Sequence, residues 1–122
     1  MPVVRRGLTA ICLLALALLA WVGGRPGFAQ SATPFVFVVP IEGTIDLGLA
    51  PFVQRVIDEA AATGAAAVVL DINTFGGRVD AAVQIRDTLL RSKVRTVAFI
   101  NKRAISAGAL ISLAANDIVI AS

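Results

Sequence analysis

Two short segments of the chain carry residue types that acyl-transfer chemistry uses, and the first is a pair of glycines. Gly76 and Gly77 follow the apolar run at 66–72 after three further residues. Paired glycines can adopt positive φ and bring backbone N–H groups close to a bound anion without an intervening side chain. The pair therefore predicts either an oxyanion or anion site, or no more than a tight connection between a strand and a helix. Arg78, next in the chain, is expected to be a solvated loop residue.

The second segment begins at Ser106, directly before a run of small and aliphatic residues that predicts a buried helix. A serine at such a point can cap the helix. It can also act as a nucleophile, because unpaired N–H groups and the helix dipole stabilise negative charge there. Ala107 and Gly108 are small enough to let another chain approach. Ser112 is expected to hydrogen-bond to a carbonyl of its own helix.

The residue types that are absent limit the chemistry further. The chain contains no histidine, and its one cysteine, Cys12, lies inside an apolar N-terminal run. A zinc site and a Ser-His-Asp triad are therefore not expected, and we predict neither a metal nor a cofactor. Lys93 and Lys102 lie in polar, arginine-rich surroundings that keep an ammonium group charged and solvated, so neither is expected to be a general base.

The N-terminal residues have the layout of a secretory signal. Two arginines precede an apolar run over residues 8–22, and small or turn residues follow it. The run is shorter than the roughly 20 residues of a comfortable membrane span, so we expect cleavage after Ala29, with retention as an anchor as the alternative. This predicts a signal peptide over 1–29, a domain over 30–122, and an exported protein on the periplasmic or extracytoplasmic side.

The positive charge of the chain belongs largely to this leader. The whole chain has 11 basic and 8 acidic residues, a net charge of +3. Three of the arginines precede residue 30, and the remaining basic residues equal the acidic ones in number. The domain therefore has no basic excess that would indicate nucleic-acid binding.

Apolar runs and helical periodicity alternate along the domain. They predict strands at 35–41, 66–72, 96–100 and 117–122, and helices at 49–61, 79–91 and 106–115. Unbroken apolar strands that alternate with helices indicate an α/β fold, with a mostly parallel sheet buried on both faces and the order β-α-β-α-β-α-β. The glycine turn predicted at 73–77 and the loop predicted at 101–105 then lie at the carboxyl ends of strands, where such sheets bind ligands. No element follows the last strand, so we expect the domain to be truncated.

Three peptides resemble one family along nearly the whole domain. They are Val-Pro-Ile-Glu-Gly-Thr-Ile-Asp at 39–46, Asp-Ile-Asn-Thr-Phe-Gly-Gly-Arg-Val-Asp at 71–80, and Arg-Ala-Ile-Ser-Ala-Gly-Ala at 103–109. Together they resemble the NfeD family of membrane-bound, ClpP-class serine peptidases, which is related to signal peptide peptidase A. The resemblance implies a ClpP/crotonase-like fold.

The resemblance also assigns roles to individual residues. The family's nucleophile maps onto Ser106, and its diglycine maps onto Gly76 and Gly77, which implies backbone donors for an oxyanion. Ala107 belongs to the same expected oxyanion and substrate site. Phe75 stands where the family usually has proline, and its ring is expected to fill an apolar substrate pocket.

The function implied is that of a membrane-associated serine endopeptidase with a Ser-Lys dyad. The family's lysine lies well downstream of its serine, and therefore past Ser122, so residues 1–122 alone are expected to be inactive. Implied substrates are apolar segments of stomatin-like membrane proteins, and we expect a homo-oligomer.

Two other readings of the same residues remain open. Crotonase-type enzymes share this fold by family resemblance and hold a coenzyme A thioester enolate with glycine-loop amides, but an export signal counts against them. A scaffold that binds membrane-protein partners without activity is compatible with Phe75 and with the missing lysine.

Overall fold

The structure, a computed structural model, describes residues 33–122, so the predicted leader and its cleavage point lie outside the described residues. The predicted order β-α-β-α-β-α-β is confirmed. The strands are β1 Val36–Ile45, β2 Ala67–Gly77, β3 Thr96–Ala104 and β4 Asp117–Ile120. The helices are α1 Leu49–Thr63, α2 Val79–Leu90 and α3 Ala107–Ser112.

The strands form one parallel sheet in the order β1-β2-β3-β4. When parallel strands follow each other in chain order, right-handed crossovers place every connecting helix on the same face. Accordingly, α1 contacts α2, and α2 contacts α3. The core lies between this helical layer and the sheet, where Leu70, Ile72, Ile85 and Ile111 are completely buried.

The opposite face of the sheet has no cover among residues 33–122. Val38 on β1 is 63% exposed and Val119 on β4 is 48% exposed. The expectation that the sheet is buried on both faces is therefore wrong for this part of the chain. The β-branched runs indicated strands correctly, but the consecutive strand order gives helical cover to one face only.

Three strands continue beyond their predicted ends, and β1 extends to Ile45. The predicted glycine turn at 73–77 is instead the last part of β2, because β1 continues to pair with it at Gly76 and Gly77 after a register shift between Glu42 and Thr44. Likewise, β3 includes most of the loop predicted at 101–105 and pairs with β2 after a register shift of its own. Local glycine content favoured a turn, but pairing with a neighbouring strand determines the conformation.

Helices α1 and α3 differ in how well local sequence signals predicted their bounds. Helix α1 has Pro51 in its first turn and ends at Gly64, whose φ is +71°. Asp46 Oδ1 accepts the N–H groups of Gly48 and Leu49 at 2.8 and 3.0 Å, so a side chain satisfies the start of this helix. Helix α3 is shorter than predicted. Leu113, just after it, is 74% exposed, so the predicted helical run is not buried all round.

Among the helices of residues 33–122, none has both the length and the apolar character needed to cross a membrane.

Candidate active site

The two segments singled out in the sequence meet at the carboxyl ends of β2 and β3. The N–H of Ile105 donates to the carbonyl of Thr74 at 3.1 Å, which joins the end of β3 to β2 just before Ser106. A Cβ atom built on Gly76 would lie 2.9 Å from Cβ of Ser106. The structure therefore places the side chain of Ser106 directly beside Gly76.

Ser106 has an unusual backbone conformation for a residue with a side chain. Its φ is 54° and its ψ is −115°, and it is the only non-glycine residue with positive φ within residues 33–122. Such a conformation costs on the order of 1–3 kcal/mol and persists where the surroundings impose it. Serines on strained strand-to-helix turns project their hydroxyl away from the backbone, which is the geometry a nucleophile requires.

The capping interpretation of Ser106 receives no support from this geometry. Ser106 occupies the N-cap position of α3, but its side chain makes no capping hydrogen bond. Capping serines ordinarily have an extended backbone, whereas φ is positive here. Ser106 is also exposed, so its hydroxyl is accessible from solvent.

Gly76 leaves open the space beside Ser106. Its φ is +110°, and a Cβ there would lie 3.0 Å from the carbonyl oxygen of Ile105 and 3.4 Å from the nitrogen of Ala107, besides its contact with Ser106. A side chain at this position would fill the space beside the side chain of Ser106. Glycine is therefore required both by the backbone angle and by the available volume.

The backbone N–H groups around this space differ in whether they already donate a hydrogen bond within the protein. The N–H of Gly76 donates to Thr74 Oγ1 at 2.9 Å, so in this structure it is engaged within the protein. The N–H of Ala107 is the first of α3 and has no backbone acceptor within residues 33–122. Ala107 thus supplies a backbone donor that the described geometry leaves available beside Ser106.

Gly77 has a separate structural reason to be glycine. A Cβ at Gly77 would lie 2.3 Å from the carbonyl oxygen of Ile45 and 2.6 Å from its nitrogen, distances that no side chain tolerates. The next N–H, of Arg78, donates to the same Ile45 oxygen at 2.8 Å. The two glycines are therefore needed for different reasons. Gly76 leaves space beside the side chain of Ser106, and Gly77 allows the backbone of β1 to pack closely against β2.

Apolar and basic side chains lie close to Gly76 and Ser106 in the sequence. Phe75 is 70% exposed, and the guanidinium carbon of Arg103 lies 4.3 Å from the centre of its ring, a cation–π contact. Ile105, next to Ser106, is 49% exposed. Arg78 is exposed as predicted and forms an ion pair with Asp80 at 2.6 Å. Hydrogen bonding across this ion pair raises the pKa of Arg78 and lowers the pKa of Asp80.

Thr74 is a residue of this site that the sequence did not single out. Its side chain is 1% exposed, and its hydroxyl donates to the carbonyl of Gly43 at 2.5 Å while accepting from Gly76. A β-branched polar residue directly before Phe75 and the glycines, near the end of β2, was the available signal. Its partner on β1 lies 31 residues earlier, which no local pattern indicates.

Groups that could serve as a base or hold a metal are sparse near Ser106. Lys93 and Lys102 are both exposed, in agreement with the surface roles expected for them. Among residues 33–122, no group of three or more carboxylate, histidine or cysteine side chains could hold a metal ion.

Comparison with known proteins identifies the family of this chain. Residues 35–122 match the family described as NfeD1b, N-terminal domain. Membrane protein NfeD1b of Bacillus subtilis (strain 168) is 38% identical over 109 residues, which cover 89% of this chain and 25% of that protein. The chain therefore spans about a quarter of the length of this curated relative.

Solved structures of proteases have the same fold. The 1510-N membrane protease specific for a stomatin homolog from Pyrococcus horikoshii matches with a TM-score of 0.67 and 29% identity, over 73% of this chain and 46% of that chain. A variant of 1510-N with a lysine replaced by alanine, in complex with a substrate peptide, matches at 0.67 and 28% identity, over 73% and 42% of the two chains. A ClpP1 variant from Listeria monocytogenes matches at 0.61 and 29% identity, over 64% and 46%.

These matches confirm the resemblance read from the three peptides, and they confirm the α/β fold with its parallel sheet. The membrane association expected for the protein agrees with the relative in Bacillus subtilis, which is a membrane protein. The chain belongs to the family of NfeD1b N-terminal domains, and its fold is that of the ClpP-like and stomatin-specific proteases.

Proposed function

We propose that this chain carries the nucleophile of a membrane-associated serine endopeptidase, and that this nucleophile is Ser106. The observation that supports the proposal is the conformation of Ser106, which is strained, exposed and free of any capping hydrogen bond. It stands beside Gly76, which has no side chain to obstruct an approaching carbonyl. Strain of this kind concentrates at functional sites.

In the proposed reaction, a base removes the hydroxyl proton of Ser106 as Oγ bonds to the carbonyl carbon of a peptide. The carbonyl oxygen becomes negatively charged, and the unoccupied N–H of Ala107 is positioned to donate to it. The carbon–nitrogen bond then breaks, and the leaving amine takes the proton from the base. Water hydrolyses the resulting ester and regenerates Ser106.

The base is proposed to be a lysine supplied by residues that follow Ser122 in the complete protein. Within residues 33–122 both lysines are exposed at the surface. The complex of 1510-N with its substrate peptide was obtained with a lysine replaced by alanine, which supports a lysine as a participant in that protein. Residues 1–122 by themselves are accordingly predicted to show no turnover.

The proposed substrate is an apolar segment of a stomatin-like membrane protein. The exposed side chains of Phe75 and Ile105, which directly precede Gly76 and Ser106 in the chain, offer apolar contact surface. The related 1510-N proteases are described as stomatin-specific. The proposal includes export through the N-terminal leader, an extracytoplasmic orientation and assembly as a homo-oligomer.

The test compares two serines of the same segment in the full-length protein. Ser106→Ala is expected to lower kcat toward an apolar peptide by about 10³-fold or more, because the nucleophile is lost. The matched control is Ser112→Ala, since the Ser112 hydroxyl donates to the carbonyl of Gly108 at 2.8 Å within its own helix. That variant is expected to retain kcat within about threefold.

Labelling with a fluorophosphonate probe gives a second readout that is independent of the substrate chosen. Wild type and Ser112→Ala should be labelled, and Ser106→Ala should not. Undiminished turnover in Ser106→Ala would refute the assignment. A wild-type protein with neither turnover nor labelling would favour the scaffold reading, and thioester chemistry without labelling would favour the crotonase reading.

A further inference from the structure

We propose that Thr74 is the positioning residue of this site, with its hydroxyl group holding Gly76 and its methyl group seating the helix that begins after Ser106. The inference rests on the proposed function of Ser106. Thr74 is 1% exposed and reaches neither solvent nor substrate, so its role is to hold other groups in place.

The hydroxyl of Thr74 connects two backbone segments. Oγ1 donates to the carbonyl of Gly43 at 2.5 Å and accepts the N–H of Gly76 at 2.9 Å. Gly43 has a φ of 68° and lies at the register shift of β1. One hydroxyl therefore holds the irregular part of β1 against the glycine that faces Ser106.

The methyl of Thr74 lies under the first turn of α3. A Cβ on Gly108 would lie 2.5 Å from Thr74 Cγ2, so α3 approaches β2 closely and only glycine fits at that position. The backbone of Thr74 adds a third contact, because its carbonyl accepts the N–H of Ile105 at 3.1 Å. Thr74 thus contacts the chain on both sides of Ser106.

Only threonine supplies a hydroxyl and a methyl on the same Cβ atom while remaining stiff at χ1. Rotating the side chain to improve one contact would break the other. The positive φ of Ser106 persists only if its surroundings impose it, and the contacts of Thr74 with Ile105 and Gly108 do so from either side. Serine and valine at this position would each retain one of the two contacts.

The test uses these two substitutions in the full-length protein, with Thr88→Val as the matched control. Thr88 is also buried, at 5% exposure, and its hydroxyl bonds to Gln54 and Gln84 on the helical layer, so its replacement removes a buried hydroxyl elsewhere. Thr74→Val is expected to lower kcat by about 30-fold with KM changed less than threefold, since it disturbs the reacting geometry rather than substrate binding. Thr74→Ser is expected to stay within about fivefold of wild type, and Thr88→Val within about twofold.

Amide hydrogen exchange of the same proteins separates positioning from general destabilisation. In Thr74→Val, the peptide containing Gly76 should exchange about tenfold faster, because its N–H loses its acceptor. In Thr74→Ser, the exchange rate of that peptide should be unchanged. The peptide spanning 107–110 should exchange faster, because the methyl group that packs against Gly108 is missing. Thr88→Val should leave both peptides as in wild type.

Equal loss of kcat in Thr74→Val and Thr88→Val, or exchange unchanged at Gly76 in Thr74→Val, would overturn the proposal. If the wild-type protein shows no turnover while the exchange pattern appears as described, the proposed peptidase function fails and the positioning role stands. The two failures are thereby distinguishable.

Discussion

The polar side chains in the connections at the two ends of the parallel sheet differ in their hydrogen bonding. At the amino ends of β3 and β4, the polar side chains of the connections are satisfied by hydrogen bonds. The Ser92 hydroxyl donates to the carbonyl of Val94 at 2.7 Å and accepts its N–H at 3.2 Å. Asn116 Oδ1 accepts from both the N–H and the hydroxyl of Thr96, at 2.8 and 3.0 Å.

At the carboxyl ends, the corresponding serine is exposed to solvent and its backbone is strained. Ser106 has positive φ and no capping bond, and the apolar side chains of Phe75 and Ile105 are exposed at this end of the sheet. Satisfied polar groups add to stability, whereas backbone strain lowers it. Under the proposed function, the amino end serves stability and the carboxyl end serves chemistry, and each prediction below tests that division.

The largest effect is expected from a methyl group placed beside Ser106. Gly76→Ala forces a side chain into positive φ and puts a carbon 2.9 Å from Cβ of Ser106. We expect kcat of the full-length protein to fall by about 10³-fold, because the space for the carbonyl is filled and the nucleophile is displaced. Peptide hydrolysis measures the effect.

Gly64→Ala is the matched control for that experiment, since Gly64 also has positive φ but nothing within 4 Å of an added Cβ. It should cost about 1–2 kcal/mol of stability and leave kcat nearly unchanged. Equal losses of activity in the two variants would show that Gly76 acts through backbone conformation alone.

The next effect separates the two members of the diglycine. Gly77→Ala places a Cβ 2.3 Å from the backbone oxygen of Ile45, so we expect a loss of stability of about 3 kcal/mol or more from overpacking against a backbone that cannot yield. Gly43→Ala is its control on β1, with positive φ and open space, and should cost about 1–2 kcal/mol. Urea denaturation of both variants measures the difference. Comparable midpoints would contradict the close approach seen at Ile45.

A smaller effect is predicted at the amino end. Asn116→Ala leaves the N–H of completely buried Thr96 without its acceptor, which should cost about 1–3 kcal/mol. The kcat of the folded variant should stay within about twofold of wild type, because no contact of Asn116 reaches Ser106. A fall in kcat well beyond the loss of folded protein would break the proposed division between the two ends.

The smallest effect is expected from one ion pair at each end. Arg78 lowers the pKa of Asp80 by hydrogen bonding, and Arg95 lowers the pKa of Asp117 in the same way. A lowered carboxyl pKa contributes stability that is present above the unfolded pKa and is lost as the pH falls below about 4. Both pairs are exposed and screened by solvent, so the contribution is small.

The variants Asp80→Asn and Asp117→Asn should therefore each flatten the acid side of the stability curve slightly and equally. Urea midpoints at pH 7 and pH 3 measure this change. A large effect at Asp80 alone would indicate that the ion pair near the site does more than surface pairing.

Sequence reasoning predicted the elements of this fold better than their ends. Helix α1 and the four strands were predicted from apolar periodicity, which is a property of the local sequence and does not depend on how the elements pack. The back-bond of Ser112 was predicted from its place within a helix, and it is confirmed. The end of β2 at Gly77 was missed because pairing with β1 overrides the turn preference of local glycines.

The sequence by itself determined the alternation of strands and helices, the parallel sheet, and the arrival of Gly76 and Ser106 at the same end of that sheet. These follow from patterns within about ten residues and from the handedness of crossovers. Only the tertiary structure decided that Gly76 and Gly77 have different neighbours, that Thr74 holds both segments, and that one sheet face lacks cover among the described residues. The reason is physical, because each of these depends on contacts between segments about 30 residues apart, such as Thr74 with Gly43 and Gly76 with Ser106.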